Sequence, residues 1–388
     1  MYAKPPSYLI PYKRNPFDQE MKRAALKYLD QGETLHAELE EVTYFEKEFA
    51  EYCGRRHAIG LNSGTSALYL ALVGCGVTKG DEVIIPPNSF VAVGHCVLSA
   101  GATPVFVDVE EDTFNIDTAK IREKITKETK AIIPVAHCGH PCDMDPIMEI
   151  AEERGLCVIE DDANAAGARY RGKRLPVGHA GVFCVGFKSL WAPGGGGFVV
   201  TDDKEIADAV LAHRDLGFPG VGATGPGRSD LSTCVGLNYK MTDIGASIGR
   251  VQLRHLDEYV ESQRKNAHTY TEMLQGVPVA TPIERDYAYH AFLRYTIRTP
   301  HRDTLLEYLQ SEGIECSVLY STANYLQPSY IELLKCKKGD FPITDKQKEQ
   351  ELSLPEPRPR TQWELEYVAK RIRDFFARQN RRLPEKHA

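Results

Sequence analysis

The chain has 388 residues, of which 42% are hydrophobic and 26% charged, a composition typical of a soluble globular protein with room for two domains. Its net charge of −7 is spread along the sequence without a concentrated basic stripe, which argues against nucleic acid as a partner. Since no run of about 18 apolar residues occurs and prolines interrupt the N-terminal segment, we predict neither a transmembrane helix nor a signal peptide and expect a cytoplasmic location.

Helices and strands alternate through the first half of the sequence. Apolar residues at helical spacing predict helices at 17–30 and 42–53. Strands are predicted at 57–61, 83–86, 104–109, 130–136 and 156–161, with helices at 66–76, 90–100, 118–125 and 144–155 between them. This alternation predicts an α/β fold, with a mostly parallel central sheet sandwiched by helices.

In the second half of the sequence the regular alternation of strands and helices ends. Residues 242–274 have the spacing of one long helix, and the runs at 292–299 and 303–312 indicate a strand and a helix of a smaller α+β domain. We therefore predict an N-terminal segment with a large domain and a connecting helix over residues 1–274. A small C-terminal α+β domain is predicted over residues 275–388.

The ten cysteines are scattered along the sequence, and several lie within apolar runs. Cysteines in such runs usually behave as small hydrophobic side chains. We therefore expect reduced, buried thiols rather than a disulfide framework.

Lys188 follows one strand-like run and precedes another, with the glycine-rich turn PGGGG after it. Upstream, three acidic residues stand at the end of the strand predicted at 156–161: Glu160, Asp161 and Asp162. Because ligands of parallel α/β folds bind at the carboxyl ends of the strands, we expect Asp161 and Lys188 to converge. A lysine that can form an imine and a carboxylate that can pair with a pyridine nitrogen are what pyridoxal 5'-phosphate requires. Taken alone, each residue is more often a solvated surface charge.

The segment GLNSGTSALYLAL predicts a phosphate-binding turn followed by a helix. Gly64 lets the backbone approach an anion, Thr65 and Ser66 offer hydroxyl groups, and the helix N-terminus presents free N–H groups. An ordinary capped helix is the alternative interpretation.

Two further segments place polar or aromatic groups at the start of a helix. Phe90 follows a strand, where its ring could stack on a bound ring or belong to the core. Asn238 and Lys240 precede the long helix and could equally be part of an ordinary helix start.

The segment AHCGHPCD is a competing metal site, because it contains His137, Cys138, His140 and Cys142. The spacing matches no closed zinc pattern, and no second pair of ligands is nearby. We therefore predict no metal site and interpret the segment as a polar loop that lines the same cleft.

Six separated segments, taken in order, resemble the DegT/StrS group of sugar aminotransferases, which are pyridoxal-phosphate enzymes of fold type I. The resemblance extends from about residue 10 to residue 375. The segments are FEKEFAEYCGRRHAIGLNSGTSAL, GDEVIIPPNSFVAV, GATPVFVDVEEDTFNID, KAIIPVAHCGHPCDMDPIMEIA, VIEDDANAAGA and GLNYKMTDIGASIGRVQL.

The resemblance implies roles for the residues at matching positions. Lys188 would hold pyridoxal 5'-phosphate as an internal aldimine and shuttle protons, and Asp161 would pair with the pyridine nitrogen. Phe90 would cover the ring, and Asn164, where the family usually has glutamine, would face its phenolic oxygen. Cys184 would line the cofactor site at the position of a family serine.

The resemblance also implies how the phosphate is bound. Gly64 and Thr65 would hold it within one subunit. Asn238 would reach it from the partner subunit, so the resemblance implies a homodimer with shared active sites.

The implied reaction transfers an amino group from glutamate or glutamine to a keto sugar, a keto cyclitol or a similar keto substrate. The alternative is elimination, dehydration or carbon–carbon bond formation on an amino-acid-derived substrate with the same cofactor. Sugar dehydratases of the group carry histidine in place of the lysine, so Lys188 argues against that version. A third class is a non-catalytic regulatory or binding protein, in which we would expect Lys188 or Asp161 to be lost.

The sequence departs from the family pattern at several positions. Cys184 replaces a serine, Ala166 a histidine and Lys240 an arginine, Leu319 and Tyr325 replace histidines, and Trp191 is unusually bulky. We interpret these changes as lying around the substrate rather than the cofactor. They leave open which keto substrate is used and whether the reaction is one other than transamination.

Overall fold

The computed structural model describes residues 8–30, 40–186, 188, 190–218 and 231–382. The helices are α1 Gln19–Leu29, α2 Glu40–Cys53, α3 Gly64–Gly74, α4 Ala92–Ser99, α5 Thr118–Ile121, α6 Met144–Arg154, α7 Lys204–Arg214, α8 Asp243–Arg254, α9 Leu256–Met273, α10 Arg302–Ser311, α11 Pro328–Leu334, α12 Pro342–Gln350 and α13 Gln362–Arg382. The strands are β1 His57–Leu61, β2 Glu82–Ile85, β3 Thr103–Phe106, β4 Thr129–Ile132, β5 Cys157–Asp161, β6 Arg169–Tyr170, β7 Lys173–Arg174, β8 Ala180–Cys184, β9 Gly197–Thr201, β10 Ala288–Tyr289, β11 Thr296–Arg298 and β12 Glu351–Ser353.

Seven strands form the central sheet, in the order β1-β9-β8-β5-β4-β2-β3. Strands β8, β5, β4, β2 and β3 pair in parallel. Only β9 runs against its neighbours, β1 and β8. The prediction of a mostly parallel sheet in an α/β fold is therefore confirmed.

Apolar side chains cover both faces of this sheet. Along β2, Val83 and Ile85 belong to one core and Ile84 to the other, as the period of two along a strand requires. Helices α2, α6 and α8 contribute to the core around Ile84, and α3, α4 and α7 to the core on the opposite face. The helices thus form the two outer layers that the sequence predicted.

A third core lies in the C-terminal part, where β11 and β12 pair and α10 and α13 pack against them. The first described residues belong to it: Ile10 is fully buried there, its N–H donates to Gly313 O at 3.0 Å, and its carbonyl accepts from Glu315 N at 3.0 Å. Conversely, Tyr330 of α11 packs into a core of the large sheet. The boundary between residues 274 and 275 stays a prediction.

No helix in the described ranges is long and apolar enough to cross a membrane.

The single long helix expected over residues 242–274 is divided in two. His255 ends α8 with φ −104° and ψ 4°, and its N–H donates to Gln252 O at 3.1 Å. Asp257 and Glu258 then lie in the first turn of α9, where the helix dipole favours negative charge. These acids are the local signal for a new helix start.

The expectation that all cysteines are reduced is wrong for one pair. Cys75 at the end of α3 and Cys157 at the start of β5 form a disulfide, with their Cα atoms 6.2 Å apart. The fold brings them together across 82 residues of sequence, a proximity that spacing along the chain does not reveal. The other eight cysteines are free thiols.

Candidate active site

The carboxyl ends of three strands meet at one edge of the central sheet. β5 ends at Asp161, β8 ends at Cys184 just before Lys188, and β1 ends shortly before Gly64, where α3 begins. A cavity of about 410 Å³ opens at this edge, and all four residues line it. Its volume lies within the range of about 300–1,000 Å³ that is usual for small-molecule sites.

Lys188 directs its amine into this cavity. Its Nζ donates to Asn164 Oδ1 at 3.1 Å, and its backbone carbonyl accepts from Trp191 Nε1 at 2.7 Å. Burial lowers the pKa of Lys188 to about 8, and the charge of Arg294 acts in the same direction. The amine is therefore available in its neutral, nucleophilic form near neutral pH.

Asp161 is the one member of the acidic triplet that lines the cavity. Side chains alternate along extended backbone, so Glu160 in β5 and Asp162 just after it are expected on the other face. The carboxylate of Asp161 is buried and accepts the backbone N–H of Ala163 at 3.1 Å. Burial raises its pKa, whereas that hydrogen bond and the charge of Lys188 oppose the rise. A carboxylate in this position can pair with a cationic group of a ligand.

The N-terminus of α3 forms a second wall of the cavity. Ser63 caps the helix by accepting the N–H of Ser66 at 3.0 Å, and Gly64 and Thr65 in the first turn line the cavity. A Cβ atom at Gly64 would lie 3.1 Å from the Cβ of Cys184, so glycine permits this close approach. The first N–H groups of a helix lack partners within the helix and attract anions.

Phe90 and Cys184 complete the predicted set around the cavity. Phe90 precedes α4, is half-exposed, and its ring centroid lies 5.6 Å from that of Tyr320. Burial raises the pKa of the Cys184 thiol, which is therefore neutral at physiological pH. The two residues supply an aromatic face and a small uncharged wall.

Asn238 is the one predicted site residue that does not line the cavity. It is exposed, its backbone pairs with Asp215, and its Oδ1 accepts the N–H of Lys240 at 3.3 Å. Lys240 in turn forms an ion pair with Asp215. Seven of the eight predicted residues therefore meet at one cavity, and a contribution of Asn238 across a subunit interface stays a prediction.

Most departures from the family pattern do not line the cavity, and our interpretation that they surround the substrate stays a prediction. Ala166 and Tyr325 are core residues, and the Tyr325 hydroxyl donates to Asp345. Trp191 does not line the cavity, and its Nε1 donates to the backbone carbonyl of Lys188. Among the six departures, Cys184 alone lines the cavity.

Several cavity residues had no role in the sequence analysis. Lys13, Arg294 and Tyr320 come from the two ends of the chain, and Lys13 pairs with Glu356 at 2.8 Å. Arg294 stands between apolar residues in a strand-like run, and a charge in such a place is the signal that could have identified it.

His137 lines the cavity, as expected for the polar loop that contains it. Burial lowers its pKa to about 3, so the imidazole is neutral. The described ranges contain no cluster of three or more side chains that could hold a metal ion.

Comparison with known proteins finds relatives over most of the chain. Residues 16–373 match the DegT/DnrJ/EryC1/StrS aminotransferase family. A pleiotropic regulatory protein of Geobacillus stearothermophilus is 38% identical over 86% of this chain and 89% of the relative. The dTDP-3-amino-3,4,6-trideoxy-alpha-D-glucose transaminase of Streptomyces venezuelae is 37% identical over 87% of this chain and 86% of the relative. The structure of S. venezuelae DesV in complex with a ketimine intermediate is 34% identical, with a TM-score of 0.85 over 92% of this chain and 94% of that one.

Proposed function

The chain belongs to the DegT/DnrJ/EryC1/StrS aminotransferase family, and from that premise we propose that it transfers an amino group from glutamate or glutamine to a keto sugar, a keto cyclitol or a similar keto substrate. The observation that carries the proposal is one cavity lined by both Lys188 and Asp161, in which the pKa of the lysine is lowered to about 8. The family implies pyridoxal phosphate as the cofactor. Lys188 would bind it covalently.

The residues present fit this cofactor. Asp161 is a buried carboxylate with a backbone N–H as its donor, so it has capacity left for a protonated ring nitrogen. Asn164, already in contact with the lysine amine, would face the phenolic oxygen. The close approach at Gly64 and the free N–H groups of α3 suit the phosphate, with Thr65 as a further donor.

Each side chain has a defined task in the proposed reaction. Bound pyridoxal phosphate supplies an electron sink for the carbon that exchanges its amino group. Lys188 Nζ accepts a proton from the α-carbon of the amino donor, and it later donates a proton to the carbon of the keto substrate that receives the amino group. With a pKa of about 8, roughly a quarter of the amine is neutral at pH 7.5, compared with about 0.1% for an ordinary lysine. Asp161 keeps a proton on the pyridine nitrogen, and Phe90 shields the ring from water.

The alternatives have less support. The transaminase relative of S. venezuelae favours amino transfer over elimination or carbon–carbon bond formation. The relative from Geobacillus stearothermophilus is a pleiotropic regulatory protein, which corresponds to the third class of function. Against a purely regulatory role, this chain keeps both Lys188 and Asp161 and holds them at one cavity.

The deciding experiment adds L-glutamate, and separately L-glutamine, to the cofactor-loaded protein. Amino transfer should convert the absorbance of the cofactor to that of its amine form and release one equivalent of the corresponding 2-oxo acid. An enzyme of the alternative reaction types would neither accumulate the amine form nor release the 2-oxo acid, because glutamate and glutamine carry no leaving group on the β- or γ-carbon. Failure of the protein to take up the cofactor would contradict the whole proposal.

Two variants locate the chemistry at Lys188. Lys188→Ala should lose the absorbance band of the lysine-bound cofactor, and borohydride treatment of the wild type should leave the cofactor on the peptide that contains Lys188. Lys338→Ala is the matched control, since Lys338 is exposed and pairs with Glu349 at 2.9 Å outside the cavity. An unchanged spectrum in Lys188→Ala would refute the assignment.

We also propose a homodimer in which Asn238 reaches the cavity of the partner subunit. Large apolar side chains flank Asn238 at the surface: Val235 is 93% exposed and Leu237 57% exposed. Exposed apolar patches on globular proteins commonly mark interfaces. Replacing Val235 and Leu237 together by aspartate should give a monomer with weakened cofactor binding, whereas Leu333→Asp at an exposed position of α11 should not. A wild-type protein that is an active monomer by light scattering would contradict the proposal.

A further inference from the structure

The segment between β2 and α4, residues 86–91, carries Phe90, the ring that shields the cofactor in the proposed function. Phe90 is 51% exposed, so burial of its own side chain does not fix its position. Pro86 and Pro87 precede it and have no backbone N–H to donate to a neighbouring strand. The position of the Phe90 ring therefore depends on contacts made by the residues on either side of it.

The C-terminal part of the chain supplies the contacts on the N-terminal side of Phe90. Asn324 donates its backbone N–H to Pro87 O at 2.9 Å and its side-chain amide to Ser89 Oγ at 2.7 Å. Asn88 Nδ2 donates to Gln347 Oε1 at 2.7 Å. Three successive residues before Phe90 are thus each hydrogen-bonded to residues between 324 and 347.

Tyr330 of α11 makes the contacts on the C-terminal side of Phe90. Its hydroxyl donates to Val91 O at 3.3 Å, and its ring stacks on His95 with the ring centroids 5.5 Å apart. A Cβ atom at Gly94 would lie 2.4 Å from the Tyr330 oxygen, so α4 begins in close contact with this side chain. The C-terminal part therefore holds the backbone both before and after Phe90.

The polar side chains of this clamp are almost completely buried. Asn88, Ser89, Asn324 and Gln347 are each exposed by 2% or less. Apolar side chains could join the two surfaces without the cost of removing amide and hydroxyl groups from water. What hydrogen bonds add is a defined direction and register between the two surfaces. The clamp is thus suited to fixing the geometry of the segment rather than to adhesion alone.

Asp108, which follows β3, fixes the position of the helix that carries Gln347. Its carboxylate accepts the N–H groups of Ile343 and Thr344 at 3.1 Å each, in the first turn of α12, where the helix dipole favours negative charge. Gln347 lies one turn later, and its Nε2 donates to Glu351 Oε2 at 2.9 Å. The amide of Gln347 therefore has a fixed orientation, with its oxygen towards residues 86–91.

We propose that Asn324 and Gln347 are positioning residues that hold Phe90 over the cofactor ring. The docking of the C-terminal part on the large sheet then determines how well the ring is shielded from water. The inference rests on the proposed function, in which Phe90 is the shield. It adds that residues outside the cavity set this shield, since neither Asn324 nor Gln347 lines the cavity.

The test measures the shielding of the cofactor in the resting holoenzyme, so it needs no substrate. Borohydride reduces the bond between Lys188 and the cofactor, and the loss of the absorbance band gives the rate. Asn324→Leu removes the side-chain amide and keeps the backbone bond to Pro87. We expect it to raise the rate roughly threefold to tenfold, because one hydrogen bond of ordinary strength changes an opening equilibrium by such a factor. Gln347→Leu should act in the same direction, since it leaves Asn88 without its acceptor.

Two further measurements separate positioning from a general loss of stability. The circular dichroism of the cofactor band should decrease in Asn324→Leu, because a loosened Phe90 no longer fixes the surroundings of the ring. Asn324→Leu added to Phe90→Ala should give no increase in rate beyond that of Phe90→Ala alone, because the asparagine acts through Phe90. Asn266→Leu is the matched control, an asparagine of α9 that donates to Pro357 O at 2.7 Å outside the cavity, and its rate should equal that of the wild type.

Ser89→Ala keeps the test decisive where Asn324→Leu folds poorly, because it removes the same hydrogen bond with a smaller change. Unchanged rates in both variants, beside a faster rate in Phe90→Ala, would overturn the inference and leave the proposed function intact. Equal increases with and without the Phe90 ring would also overturn it, since the variants would then loosen the fold as a whole. An unchanged rate in Phe90→Ala would remove the shield and the inference with it. A wild-type holoenzyme without the band of the lysine-bound cofactor would refute the proposed function and everything that rests on it.

Discussion

Replacing Lys188 by methionine should stabilise the apoprotein, because the buried amine costs folding energy when it is charged. Burial lowers the pKa of Lys188 from 10.5 to about 8. Between these two pH values the unfolded chain binds more protons than the folded one, so stability rises with pH there, and the penalty is fully present below pH 8. At about 1.4 kcal/mol for each pKa unit, the penalty is about 3 kcal/mol at pH 7 and about 1 kcal/mol at pH 10. Loss of the hydrogen bond to Asn164 offsets about 1 kcal/mol of the gain.

The assay is urea unfolding of both apoproteins at pH 7 and at pH 10. The variant should be more stable by about 2 kcal/mol at pH 7 and nearly equal to the wild type at pH 10. Lys13→Met is the control of opposite sign, because it leaves the buried carboxylate of Glu356 without its partner and should destabilise the protein. A stability difference between Lys188→Met and wild type that does not change between the two pH values would refute the reasoning.

Three further predictions concern close contacts and charge. Gly249→Ala would place a Cβ 2.4 Å from the ring of Phe45, which is fully buried, so urea unfolding should report a loss of about 1–3 kcal/mol, and equal stability would contradict this packing. Gly64→Ala would place a Cβ 3.1 Å from the Cβ of Cys184 and should weaken cofactor binding several-fold in a fluorescence titration, with recovery when Cys184→Gly is added. Asp161→Asn should slow the glutamate-dependent conversion of the cofactor about 100-fold or more in stopped-flow absorbance, since an amide does not hold the ring nitrogen protonated, and an unchanged rate would remove Asp161 from the mechanism.

The sequence predicts those parts of the fold and site that depend on local periodicity. The alternation of strands and helices is sufficient for the mostly parallel sheet, because each strand carries its own apolar signal. The strand ends then indicate where Asp161 and Lys188 meet. The period of two along β5 and the residue that follows it also explains why Asp161 lines the cavity while Glu160 and Asp162 do not.

Contacts between distant segments could not be predicted in this way. Lys13 reaches the cavity from the N-terminus and Arg294 from beyond residue 274, and no spacing rule relates either to Lys188. The Cys75–Cys157 pair is hidden for the same reason. Residues whose partners lie far along the chain are recognised only when the fold is known.

The loop that the sequence offered as a zinc candidate illustrates what such long-range contacts achieve. Cys138 and Gly139 both have positive φ, and a Cβ at Gly139 would lie 2.9 Å from the carbonyl of Asn164. On its other side the loop contacts the segment that carries Arg294, whose N–H points to Cys138 O at 3.5 Å. Asn164 holds the amine of Lys188. The loop therefore packs between the segment that orients the lysine and the segment that carries Arg294, so its small residues permit close packing between two parts of one site.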